Sequence, residues 1–250
     1  MKVSIITIAY NSAATIADTI SSVAVQSHPD IEYIIVDGAS KDKTLEIVES
    51  FGNKISKLIS EKDQGIYDAM NKGVASATGD IIGILNSDDF YADEHVIRDV
   101  VKKFEEENCD GLYADLVYVN RELADKVVRT WKAGEYRHGK FLSGWMPPHP
   151  TFFVRKEIYD RFGSYSLQLR SAADYELMLR FIHKHQIMMS YLPRVITKMR
   201  TGGQSNVTIR NRIKANLEDR LAWKMNGLQP RFLTLTRKPL SKVFQFLKKS

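Results

Sequence analysis

A single cysteine, Cys109, leaves no partner for an internal disulfide and no thiolate cluster for zinc, which fits a reducing compartment. No apolar stretch approaches the roughly 20 residues that a spanning helix needs. The first apolar run, Val3 to Tyr10, stops at Asn11, too short for the apolar region of a signal peptide, so the expected location is the cytoplasm. The loop after that run, Tyr10-Asn11-Ser12-Ala13, lacks the glycine cluster that admits a pyrophosphate, and no Gly-x-x-x-x-Gly-Lys occurs. Both absences weigh against another nucleotide-binding enzyme on a Rossmann-like sheet, whether oxidoreductase or phosphoryl-transfer enzyme. Acidic residues are missing from 227–250, where Arg231, Arg237, Lys238, Lys242, Lys248 and Lys249 account for the whole excess of 36 basic over 30 acidic residues. The body is thus formally neutral, and a nucleic-acid-binding module, which rests on this tail alone, ranks last; no nucleic-acid partner is expected.

What is present is an alternation of short β-branched runs with segments of helical period, the pattern of a largely parallel sheet flanked by helices. Strands are expected at Val3–Ile8, Glu32–Val36, Lys57–Ser60 and Ile81–Leu85. Between them, Ile16, Ile20 and Val23, then Leu45, Val48 and Phe51, then Ile66, Met70 and Val74 recur at helical spacing. A further helix carries Val96, Val100 and Phe104, and 111–119 with 126–131 alternate like an antiparallel pair. Gly134 to Pro150 holds three glycines and three prolines without a period and reads as a functional loop or lid. Helical spacing returns at 174–185, and again at 209–225, where Ile209, Ile213, Leu217 and Leu221 lie four apart.

Ligands of open α/β sheets collect at the carboxyl ends of the strands. Here those ends read Tyr10-Asn11, Asp37-Gly38-Ala39-Ser40, Glu61-Lys62-Asp63-Gln64-Gly65 and Asn86-Ser87-Asp88-Asp89. Adjacent carboxylates repel each other, and Asp88 with Asp89 makes sense when a hard cation neutralises them; with only oxygen donors offered, Mg2+ or Mn2+ is the expected ion. The competing reading is that both acids cap a helix beginning near Asp93.

Three segments in this order resemble the family 2 glycosyltransferases of the GT-A fold. Val3 to Asn11 looks like the family's first strand and loop, and Ile34 to Thr44, IIVDGASKDKT, like its nucleotide-binding turn. Ser60 to Tyr91, SEKDQGIYDAMNKGVASATGDIIGILNSDDFY, is similar to a branch that builds bacterial polysaccharides. The resemblance covers about residues 1–205 and implies an α/β GT-A fold, a Rossmann-like mostly parallel sheet with a C-terminal helical extension. It implies an inverting sugar transfer from a nucleotide-sugar donor, a UDP-sugar first, to a saccharide or lipid-linked acceptor.

Carried over position by position, the resemblance places Asp37 on the base or ribose, Ala9 and Tyr10 around that pocket, and Asp63 near the same nucleotide. The family's Asp-x-Asp falls on Asn86, Ser87 and Asp88, so an amide replaces the first acid. Asp88 is therefore assigned to the metal, and Asn86, Ser87 and Asp89 to donor contacts. Asp174, in Ser171-Ala172-Ala173-Asp174-Tyr175-Glu176, matches the catalytic base, although an acid at a helix start is also favoured by the dipole. Arg200 is the candidate cation for the leaving diphosphate. His149 is a candidate metal ligand or acceptor contact, and Trp145 either stacks on an acceptor sugar or packs in the core.

The expected organisation is a glycosyltransferase domain over 1–205 followed by a helical extension over 206–250 with a basic amphipathic tail. Within the domain, 1–110 is the nucleotide-binding half and 111–205 the acceptor and base half. Phe232, Leu235, Val243, Phe244 and Leu247 interleave with the tail's cations, which suits an interfacial helix on anionic lipid at the inner face of the plasma membrane, or else a solvated tail.

Overall fold

The computed structural model describes residues 1–202, 209–232 and 234. Strands β1 (Val3–Ala9), β2 (Ile31–Asp37), β3 (Lys57–Ser60) and β4 (Ile81–Ile84) alternate with helices α1 (Ile16–Ala24), α2 (Thr44–Ser50) and α3 (Ile66–Ser76). They pair in the order β3-β2-β1-β4, all parallel, with β1 and β2 in register from Val3↔Ile31 to Ala9↔Asp37. Every residue of β1 is buried, because helices cover both faces of this half. Ile6 and Ile8 pack with α3 on one side; Val3 and Ile5 pack with α1 on the other, as the two-residue strand period requires. Gly73 lets α3 approach closely, since a Cβ there would lie 2.4 Å from Ile6 Cγ2.

The second half extends the same sheet. After β5 (Asp89–Tyr91) and α4 (Val96–Glu107) come β6 (Gly111–Val119), β7 (Val127–Trp131), β8 (Phe153–Arg155), α5 (Lys156–Phe162), α6 (Ala173–Met178), β9 (Met189–Arg200) and α7 (Ile209–Met225). The α/β GT-A architecture is the one observed, with the parallel character confined to β3-β2-β1-β4 and the β6–β9 pair. Strand β8 joins antiparallel to both β4 and β6, β7 pairs antiparallel with β6, and β5 closes the far side against β9.

Three expectations need correction. Strand β9 carries no strand pattern, because Pro193 and three cations interrupt its sequence; its pairing with β6 and β5 is what makes it a strand. The segment 134–150 is irregular but packed, with Phe141 wholly buried in the core and the Trp145 indole N–H donating to Ala133 O at 2.9 Å, so it is no free lid. Helix α7 forms where expected, yet Leu217 and Leu221 are 62% and 40% exposed; the face it buries carries Asp219, Ala222, Trp223 and Asn226. Trp223 Nε1 donates to Tyr175 Oη and Asn226 Nδ2 to Glu176 Oε1, both at 2.9 Å, so polar pairing with α6 sets the rotation of α7. Beyond α7, Thr234 Oγ1 donates to Leu142 O at 2.6 Å. The proposed lipid-facing tail, apart from 229–232 and 234, lies outside the described residues.

Candidate functional site

Because β1 to β4 are parallel neighbours, their loops meet at one edge of the sheet. Asp37 ends β2 and is fully buried; its carboxylate accepts from Ser40 N at 3.0 Å, Ser40 Oγ at 2.5 Å and Ser60 Oγ at 2.9 Å. Those bonds fold the turn that follows β2, and buried Asp37 shapes that turn from within. Ala9 contributes its carbonyl, which accepts from Gly38 N at 2.9 Å. A Cβ on Gly38 would stand 2.4 Å from Asp63 Oδ2 and 3.4 Å from Tyr10 Cδ2, so a glycine is needed for these three residues to meet. Tyr10 is 58% exposed and stands beside Gly38.

The next loop is tied to the first by the Ser12 and Ser87 hydroxyls, 2.8 Å apart. Asp89 does not cap a helix: it lies in β5, wholly buried, and α4 begins at Val96 without a side-chain cap. Asn86 Nδ2 donates to Asp89 Oδ2 at 3.1 Å, while Asn86 Oδ1 and Asp89 Oδ1 are buried without a partner. Burial, then the charge of Asp88, pushes the Asp89 carboxyl well above the ordinary range. Burial also raises the Asp88 carboxyl, opposed by Arg121 and Arg200. Arg200 is 6% exposed, donates to Asp88 O at 3.0 Å, pairs with Asp18 and stands 4.7 Å from the Phe90 ring centre. It thus ties the Asp88 loop to α1 through Asp18, while exposed Arg121 is the cation nearer to solvent.

Among the described residues, no three His, Cys, Asp or Glu side chains are arranged as a ready metal cage. A Mg2+- or Mn2+-type ion does not require one, as it takes one or two carboxylates and completes its shell with water and phosphate oxygens. Asp88, with the unpartnered Asn86 and Asp89 oxygens behind it, offers an all-oxygen donor set that fits such an ion.

A second group assembles around α6. Asp174, in its first turn, accepts from the Tyr67 hydroxyl at 3.1 Å. Since Tyr67 lies in the first turn of α3, which leaves the edge where β3 ends, Asp174 belongs to the same edge as the loops that follow β1 to β4. His149 Nε2 is 3.0 Å from Tyr165 Oη, and burial lowers its imidazole below the usual range despite the opposing charge of Asp174. His149 thus stands in the Asp174 group, with Nε2 engaged by Tyr165. Trp145 sits among Tyr113, Tyr136 and Phe141, at centroid distances of 5.5, 5.3 and 5.6 Å, with Lys140 Nζ 5.0 Å over its ring. Trp145 is half-buried in this cluster.

A sequence model described as glycosyl transferase family 2 matches residues 4–177. The chain belongs to this family. A PGL/p-HBAD biosynthesis glycosyltransferase of Mycobacterium tuberculosis is 29% identical over 211 residues, 82% of this chain and 80% of the relative. An uncharacterized glycosyltransferase of the same species is 31% identical over 180 residues, 71% of this chain and 68% of that one. Among solved structures, S. aureus TarS 1-349 in complex with UDP-GlcNAc superimposes with a TM-score of 0.71 at 20% identity, covering 98% of this chain and 73% of that 1-349 chain. The mannosyltransferase PcManGT from Pyrobaculum calidifontis, in complex with GDP-Man and Mn2+, gives 0.67 at 17% identity, with 100% and 76% covered. Both likenesses are of fold.

In this family 2 chain, sequence reasoning missed Tyr67, Ser12, Asp18 and Arg121. Tyr67 was in view inside Ile66-Tyr67-Asp68-Ala69-Met70, but an aromatic on an apolar helical stripe carries no sign that its hydroxyl meets a carboxylate 107 positions away. Asp18 and Arg200 are 182 positions apart, and only the fold pairs them.

Proposed function

We propose that this glycosyltransferase is an inverting, metal-dependent hexosyltransferase that moves a sugar from a UDP-sugar to a hydroxyl of a saccharide or lipid-linked saccharide in cell-surface polysaccharide synthesis. The observation that carries the reading is the gathering of the Tyr10–Gly38–Asp63 cluster, the Asn86–Asp89 loop and the Tyr67-bound Asp174 at one sheet edge. The UDP-GlcNAc complex of TarS supports the choice of donor, and the Mn2+ complex of PcManGT the choice of ion. Residues 1–110 are assigned to the donor, and 111–205 to the acceptor and base.

In this reading the base and ribose lie between Tyr10 and Asp63, over the turn that Ala9 and Asp37 shape. Asn86 and Ser87 line the ribose and donor-sugar side, with buried Asp89 acting one step back by holding the Asn86 amide, and Asp88 would hold a divalent cation against the diphosphate. Such an ion supplies charge stabilisation for the leaving oxygens. Arg200 and Arg121 add positive charge around Asp88. Asp174 takes the proton of the acceptor hydroxyl as its oxygen bonds to the anomeric carbon; the bond to the diphosphate breaks, its electron pair leaves with the phosphate oxygen, and direct attack inverts the centre.

The test is Asp174→Asn, which keeps shape and removes the base. Donor affinity should stay within about twofold while turnover falls roughly 10²- to 10⁴-fold. Near-normal turnover with UDP-sugars and a saccharide acceptor would reject Asp174 as the base.

A further inference from the structure

Tyr67 is almost wholly buried, and a phenylalanine would fill the same space; its hydroxyl is what calls for an explanation. Burial, together with the adjacent Asp174 carboxylate, pushes the phenol far above its ordinary range, so it remains protonated and donates to Asp174 Oδ1 at 3.1 Å. Its ring stacks on Tyr165 at 5.8 Å with planes 16° apart, and Tyr165 Oη is 3.0 Å from His149 Nε2. One turn further along α3, Asn71 lies on the same helix face. Its Oδ1 accepts from Tyr165 N at 2.8 Å and Ser164 Oγ at 2.5 Å, and its Nδ2 donates to Tyr165 O at 2.8 Å. At the other end of this connection, Gly65 N, just before α3, donates to Asp63 Oδ1 at 2.9 Å, and the second Asp63 oxygen lies over Gly38.

One short stretch of chain, 63–71, therefore touches the nucleotide turn at one end and the Asp174 group at the other. We infer that Tyr67 is a positioning residue, whose hydroxyl fixes one oxygen of Asp174 so that the other faces the acceptor, and that α3 thereby locks the base to the donor pocket. The inference rests on Asp174 being the base and adds the residue that aims it. Asn71 acts one step further back, by seating Tyr165 against the Tyr67 ring.

A double-mutant cycle separates this role from simple packing. Tyr67→Phe, Asp174→Asn and the double variant are assayed for nucleoside diphosphate release from whichever of UDP-GlcNAc, UDP-glucose and GDP-mannose the unaltered protein turns over fastest, with melting temperature followed in parallel. Tyr67→Phe should lower kcat about tenfold, the scale of one hydrogen bond to a charged group, with donor KM unchanged. In the Asp174→Asn background the same substitution should change nothing, because the group it aims is gone. Equal losses in both backgrounds, or a rise in donor KM without a fall in kcat, would overturn the positioning role. Near-normal turnover by Asp174→Asn alone would instead sink the base assignment beneath it.

Discussion

Asp88 is held between opposing influences: burial disfavours its charge, while Arg121 and Arg200 favour it. A bound divalent ion would tip that balance towards the carboxylate, and the carboxylate would in turn hold the ion against a diphosphate. Asp88→Ala is accordingly expected to weaken Mn2+-dependent UDP binding at least about tenfold, the scale on which loss of a metal-site contact is felt. Titration calorimetry with and without Mn2+ reads this directly; an unaltered affinity in both conditions would take Asp88 out of the ion's site. The neighbouring Asn86 was legible as a departure from Asp-x-Asp. That its amide holds buried Asp89, and that Asp89 is a strand residue, required the coordinates.

At the scale of elements, the β1–β2 pair is fastened to the α3–β4 connection by Glu32. Burial alone would raise this carboxyl, but hydrogen bonds from Ser4 Oγ at 2.5 Å, Thr78 N at 2.7 Å, Thr78 Oγ1 at 2.6 Å and Lys2 Nζ at 3.3 Å outweigh it and bring it from 4.5 down to about 2. A carboxyl depressed on folding stabilises fully above its ordinary value and loses that contribution as pH falls through its folded one. The window here runs from pH 4.5 down to about 2. Glu32→Gln should cost about 1–3 kcal/mol at neutral pH, and the gap to the unaltered protein should close across that window. Urea denaturation at pH 7 and pH 3 measures it, and a gap independent of pH would show that Glu32 does not carry the effect. The same scale explains α7, whose limits were readable from helical spacing while its rotation was not. Hydropathy pointed to the Leu217–Leu221 row, whereas Trp223 and Asn226, paired with α6, decided which face turns inward.

For the whole molecule, no helix among the described residues is long and apolar enough to cross a membrane. The net charge resides in the last two dozen positions, and we propose 229–250 as the contact to an anionic lipid surface. Thr234 is bonded to the body, so deletion of 235–250 leaves that contact in place while removing five of the six cations. At about 1 kcal/mol per cation near an anionic surface, sedimentation with phosphatidylserine vesicles should fall at least tenfold. Equal sedimentation of the full and shortened chains would end the membrane reading.

The sequence by itself determined the β-α alternation, the parallel strands β1 to β4, and the polar strand ends where a ligand would gather. Each is written in local periodicity and in residues within a few positions of one another. Tertiary structure alone decided that β8 and β9 complete the sheet, that Asp37 and Arg200 are buried and bonded to the loops around them, and that His149 stands with Asp174. It also brought Tyr67 to Asp174. These pairings span tens to nearly two hundred positions and arise from packing and hydrogen-bond geometry, which no local pattern encodes.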